Sequence, residues 1–129
     1  MIAIGEAARQ SGVHVETIRY YEREGLIAPP GRTASGRRVF TPEEVARLRF
    51  IKRCRGLGFS TADIRILIGL TDTGQASCAE VAALGKAQLA EVRARQRHLA
   101  ELETALQELL AQCDTGRTAC PMLEKLLTA

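Results

Sequence analysis

Three of the four cysteines stand where sulfur chemistry can be assembled. Cys113 and Cys120 bracket the polar stretch Asp114-Thr115-Gly116-Arg117-Thr118-Ala119, a short glycine-containing loop that can bring both sulfurs onto one ion. Thiolates are soft donors and favour copper(I), zinc, cadmium, mercury or lead over hard cations; Asp114 offers an oxygen beside them. Cys78 lies 35 residues before Cys113, roughly 52 Å along a continuous helix, so the two cannot meet within one chain. In an antiparallel pair of such helices the start of one lies beside the end of the other, and Cys78 of one copy approaches the partner's Cys113 and Cys120. Three thiolates around a divalent ion leave one net negative charge, which suits mercury, cadmium or lead. The absence of histidine from the loop counts against a mixed nitrogen and sulfur zinc site, and zinc stays open as an alternative. Oxidant or electrophile sensing through Cys113 or Cys120 is a second alternative. Cys54, between Lys52-Arg53 and Arg55 with no thiol neighbour, reads as a small buried hydrophobe.

The segment that must position these thiols is a helix. From Ser77 to Gln112 there is no proline and one glycine, Gly85, and the remaining residues are mostly good helix formers. Val92, Leu99, Leu106 and Cys113 recur every seven residues, with Leu102 and Leu109 at the alternating position, the pattern of a coiled-coil seam. About 54 Å of helix outreaches a domain of roughly 70 residues and needs a partner. A second copy is the simplest one, which predicts a homodimer. Pro121 opens a short last helix, Met122 to Leu127.

The first half of the chain has a different character. Residues 1–70 hold 12 Lys and Arg against 7 Asp and Glu, whereas residues 71–129 hold 6 against 8, as expected of a polyanion-binding module joined to another element. Ile4 to Gln10 and Val15 to Glu24 carry helical spacing around the turn Ser11-Gly12, which predicts a helix-turn-helix. Ile18 faces inward, and the second helix turns Glu16, Thr17, Arg19, Tyr20 and Arg23 outward toward base edges and phosphates. Pro29-Pro30 ends helical structure, and Gly31 to Phe40 reads as a hairpin around Ser35-Gly36 bearing Arg32, Arg37 and Arg38. Thr41-Pro42-Glu43-Glu44 starts a helix to about Arg55, with Val45, Leu48, Phe50 and Ile51 inward and Arg47, Lys52, Arg53 and Arg55 outward. Gly56 and Gly58 break it, and Ser60 caps a further helix to about Leu70.

Ile4-Gly5-Glu6-Ala7-Ala8, Val15-Glu16-Thr17-Ile18-Arg19-Tyr20-Tyr21-Glu22, Gly25-Leu26-Ile27, Arg38-Val39-Phe40 and Leu57-Gly58-Phe59-Ser60 together resemble the MerR family of bacterial regulators, in its order and spacing over the first 70 residues. The resemblance implies a winged helix-turn-helix whose second helix, carrying Thr17, Arg19 and Tyr20, enters the major groove of double-stranded promoter DNA, with Arg37 and Arg38 in the wing. It also implies a dimer that binds a palindromic promoter with and without metal. Metal binding in the family changes the angle between the DNA-binding domains and distorts an over-long spacer until RNA polymerase engages both promoter elements. Metal-sensing members close their site across the dimer, and those answering divalent ions carry a cysteine where Cys78 stands. The loop length looks most like the cadmium- and lead-responsive branch, with the mercury branch close behind. His14 departs from the Ser, Thr or Asn frequent at its position, and caps a helix less well.

The expected protein is mainly α-helical. It comprises a winged helix-turn-helix DNA-binding domain (1–70), a linker and long antiparallel coiled-coil dimerisation helix (71–112), and a metal-binding loop with a C-terminal helix (113–129). A soft divalent cation is the expected effector. No apolar run approaches the roughly 20 residues that span a bilayer and no signal peptide is visible, so a cytoplasmic location without membrane association is expected. A metal-buffering protein is the rival from another class. No enzyme is expected, since His14 and His98 lack partners and no nucleophile, phosphate loop or carboxylate pair stands out.

Overall fold

The computed structural model describes residues 1–74, 78–112 and 120–128. Cys113, Asp114 and the rest of the expected metal-binding segment to Ala119 lie outside the described residues. In chain order the elements are β1 (Ile2–Ala3), α1 (Ile4–Ser11), α2 (Val15–Arg23), β2 (Gly31–Arg32), β3 (Arg38–Phe40), α3 (Pro42–Gly56), α4 (Thr61–Thr73), α5 (Cys78–Ala111) and α6 (Pro121–Leu127).

Local chemistry sets the start of α3 and both ends of α4. At the start of α3 the Thr41 hydroxyl accepts from the Glu44 N–H at 3.2 Å, and the Glu44 carboxylate accepts from the Thr41 N–H at 3.0 Å. Pro42, which has no N–H to satisfy, occupies the first turn. The Ser60 hydroxyl likewise accepts from the Asp63 N–H at 3.1 Å to begin α4. That helix runs to Thr73, one turn beyond the expected end near Leu70, and stops where Gly74 adopts φ 65°, a left-handed conformation that glycine enters without a Cβ clash. His14 precedes α2 without a side-chain capping bond, consistent with the weaker cap expected there.

The hairpin forms as its sequence predicts. Thr33 N–H donates to the Arg37 carbonyl and Gly36 N–H to the Thr33 carbonyl, at 2.8 and 2.9 Å, while β2 pairs antiparallel with β3 through Gly31↔Val39 and Arg32↔Arg38. A third strand joins them: β1 pairs with β3 through Ile2↔Phe40 and Ala3↔Val39, giving the order β1-β3-β2. Two residues are too few to display a period, so this strand has no signature in the sequence.

Packing divides the chain into Met1–Leu84 and Gly85–Ala129. In the first unit Phe40, Ile18, Leu48, Ile51, Ile64 and Val45 are fully enclosed, and Phe50 and Leu84 pack partly against this core. One side chain from α2, one from the sheet and four from α3 and α4 thus share an interior. Truncating any of the large ones to alanine costs about 2–5 kcal/mol. The second unit contrasts with it. No residue of α5 is buried, and Val92, Leu99, Leu102, Leu106 and Leu110 stay exposed, as do Leu123, Leu126 and Leu127 of α6.

Candidate functional site

The first candidate surface is the outer side of α2. Ile18 and Tyr21 point into the core, and a period of 3.6 residues then turns positions 16, 19, 20 and 23 the other way. Tyr20 is 41% exposed, and the Arg23 guanidinium lies 5.9 Å from the centre of its ring, within cation–π range. Arg19 is paired with Glu16 one turn earlier. Thr17 is half-buried. These exposed pairs are weak and exchange readily for a stronger anion such as phosphate.

The wing arginines divide between two roles. Arg37 is exposed, and its backbone N–H donates to the Thr33 hydroxyl at 3.1 Å. Arg38 is half-buried: its Nε donates to Glu22 Oε1 at 2.8 Å, tying β3 to α2. Arg32 donates to the Gly36 carbonyl at 2.7 Å and braces the turn from below.

Other basic residues secure the helix-turn-helix from behind. Arg49 Nε donates to the Gln10 carbonyl at 3.1 Å and Lys52 Nζ to the Gly12 carbonyl at 2.8 Å. Arg65 reaches the Glu24 carbonyl at 2.6 Å. Each cation meets carbonyl oxygens left unpaired at a helix C-terminus, where the helix dipole is negative. Lys52, read from the sequence as an outward cation, is therefore a clasp between α3 and the end of α1. Glu22, Arg49 and Arg65 had no place in the sequence-based site. Their partners lie 16, 39 and 41 residues away, and no local pattern encodes such distances.

The second candidate is the set of thiols. Cys78 is the first residue of α5 and Cys120 directly precedes α6; both are exposed, free thiols. Cys113, the third expected ligand, lies outside the described residues, as does Asp114. Among the described residues no three or more His, Cys, Asp or Glu side chains gather within one chain to hold an ion. Cys54 is 7% exposed in the core, and burial pushes its thiol above the ordinary range, so it stays protonated and is a poor soft-metal donor. Among the described residues, no helix is long and apolar enough to cross a membrane.

Comparison with known proteins bears on both surfaces. A family model described as MerR HTH family regulatory protein matches residues 2–69, and a second, described as MerR, DNA binding, matches residues 45–109. The mercuric resistance operon regulatory protein of Bacillus cereus is 37% identical over 126 residues, covering 96% of this chain and 96% of that protein. The helix-turn-helix transcriptional regulator HmrR of Rhizobium leguminosarum bv. viciae is 40% identical over 124 residues, covering 95% of each. Among solved structures, a transcription regulator of Ralstonia metallidurans in complex with lead(II) superposes with a TM-score of 0.85 at 38% identity, covering 98% of this chain and 99% of that one.

Proposed function

The chain belongs to the MerR family of helix-turn-helix regulatory proteins, within its metal-responsive branch, and from that premise we propose that it is a homodimeric regulator of a palindromic promoter, switched on by cadmium, lead or mercury. Thr17, Arg19, Tyr20 and Arg23 on α2, with Arg37 and Arg38 on the wing, form the DNA-facing set. Cys78 of one subunit and the partner's Cys113 and Cys120 form the metal-binding set.

One observation carries this proposal: a 34-residue helix with no buried residue and an apolar row uncovered along it, with a free thiol on its first residue. About 50 Å of helix cannot fold back on itself, and an antiparallel second copy covers the row and brings Cys78 to the opposite end. The donor chemistry fits the group, since two exposed free thiols, Cys78 and Cys120, and Cys113 between them in the sequence make an all-sulfur set that selects soft cations. Relatives named for mercuric resistance and a structural neighbour holding lead(II) favour that class. Bound metal supplies affinity for one of two dimer conformations in preference to the other. This chain's residues then convert that preference into DNA shape, through two recognition helices whose spacing follows the dimer and whose DNA deformation contributes to recognition. RNA polymerase engages the reshaped promoter.

The test is a reporter driven by the cognate promoter, challenged with mercury, cadmium, lead, zinc and copper. Cys78→Ser, Cys113→Ser and Cys120→Ser should each abolish induction while promoter affinity stays nearly intact. Full activation of any one of them by metal rules out the three-thiolate site.

A further inference from the structure

The wing and the recognition helix are joined by an ion pair, Arg38 to Glu22, whose side chains keep only 24% and 19% of their exposure. The pairs Arg9–Glu6, Arg19–Glu16, Arg47–Asp72 and Arg65–Glu24 are all wetter. Partial desolvation strengthens a charge-assisted bond and makes an unpaired member costly. Glu22 also occupies an otherwise unfavourable place. It is a carboxylate on the helix that presents Arg19 and Arg23, and an acidic group beside a phosphate backbone repels it. Its partner sits in the strand directly after the wing turn. Successive side chains of an extended chain point to opposite sides, so a guanidinium held inward at Arg38 sends Arg37 out to solvent, where it is found.

We propose that Glu22 is a positioning residue for DNA binding: acting through Arg38, it fixes the turn from Thr33 to Arg37 against α2, so that Arg37 and the outer side of α2 meet one duplex together. The proposal rests on the DNA-facing role given to α2 and the wing above. It also changes the part played by Arg38, from a phosphate contact to the link that orients its neighbour.

The sign of one measurement separates this from simple electrostatics. The probe is a labelled duplex selected from a random-sequence library by the unsubstituted full chain, and affinity is read by fluorescence anisotropy. Removing an acidic charge near DNA ordinarily tightens binding. Here Glu22→Gln should weaken it about tenfold, Arg38→Gln should do the same, and the double substitution should cost no more than the worse single one. Exchanging the charges, Glu22→Arg with Arg38→Glu, should recover part of the loss. In the DNA-free protein, amide hydrogen exchange over residues 33–38 should quicken in Glu22→Gln while α3 and α4 keep their protection. Binding by Glu22→Gln as tight as or tighter than the unsubstituted chain overturns the proposal. So does weakened binding with unchanged exchange in the wing, or a loss of protection that spreads to α3 and shows a general structural role. If the unsubstituted chain selects no duplex, the DNA-facing role itself falls, and this proposal with it.

Discussion

Replacing Leu99 and Leu106 together by alanine tests whether the uncovered row on α5 is a subunit contact. Leu99 is 63% exposed and Leu106 53%. Full burial of a leucine contributes about 2 kcal/mol, so covering what remains exposed contributes about 1.3 and 1.1 kcal/mol. A two-fold dimer counts each residue twice, giving about 4–5 kcal/mol. Alanine retains part of that contact, leaving a loss of about 3–4 kcal/mol, or between two and three decades in the dimer dissociation constant. The helix itself should be unharmed, because alanine is the better helix former, and circular dichroism of the variant should show undiminished helix. Sedimentation equilibrium over a concentration series resolves the subunit of 14.0 kDa from its dimer. A variant that dissociates within threefold of the unsubstituted chain would mean that the row is covered by something other than a second copy. An unsubstituted chain that sediments as a monomer at every concentration would refute the dimer outright.

Thr41→Ala should remove the hydroxyl half of the reciprocal cap at the start of α3, leaving the bond from the backbone N–H of residue 41 to Glu44, and destabilise the fold by about 1 kcal/mol, read from the urea midpoint at unchanged slope. In the native protein Cys78 and Cys120 should be alkylated promptly by iodoacetamide and Cys54 slowly, the rates converging in denaturant; equal native rates would contradict the burial of Cys54. The Glu6 carboxyl is held at about 2 by hydrogen bonds from Arg9 and then Gln10. Because its folded value lies below its unfolded one, this contribution is complete above the ordinary carboxylate range and fades as pH falls from 4.5 toward 2. Glu6→Gln should therefore lower the neutral plateau of a stability-against-pH curve slightly, flatten the fall between 4.5 and 2, and leave the most acid end little changed. An unaltered acid limb would show that the pair has no thermodynamic weight.

The parts of this molecule legible in its sequence are those encoded within about four residues. Thr41, Pro42 and Glu44 announced the start of α3, Ser60 with Asp63 the start of α4, and Ser35-Gly36 the hairpin; each appears as read. The helical period placed Ile18, Val45, Leu48 and Ile51 in the core, where they lie. The pairings that join elements were not legible. Strand β1 depends on meeting Phe40 and Val39 across 38 and 36 residues of chain. Arg38 looks identical in sequence to its neighbour Arg37, and only tertiary placement makes one a tie to Glu22 and leaves the other free in solvent. Lys52 carried the same ambiguity: a cation on a helix surface reads as solvated until the carbonyl it clasps is brought to it. For the thiols, softness and spacing were readable from residue type, whereas the proposed convergence would depend on a second chain that a single sequence does not describe.

The clasps around α1 and α2 have a consequence for engineering. Arg38 holds Glu22, Arg65 holds the Glu24 carbonyl, and Lys52 holds the Gly12 carbonyl, so α2 is not a detachable cassette. Grafting another family member's α2 onto this scaffold to redirect its operator would import a helix whose moorings at positions 38, 52 and 65 were cut for different ends. Gly12 narrows the choice further, since it sits at φ 74° with the Lys52 amine 2.6 Å from where a Cβ would be. Altered specificity should come more readily from exchanging residues 12 to 65 as a block than from rewriting the few side chains of α2 proposed to face the groove.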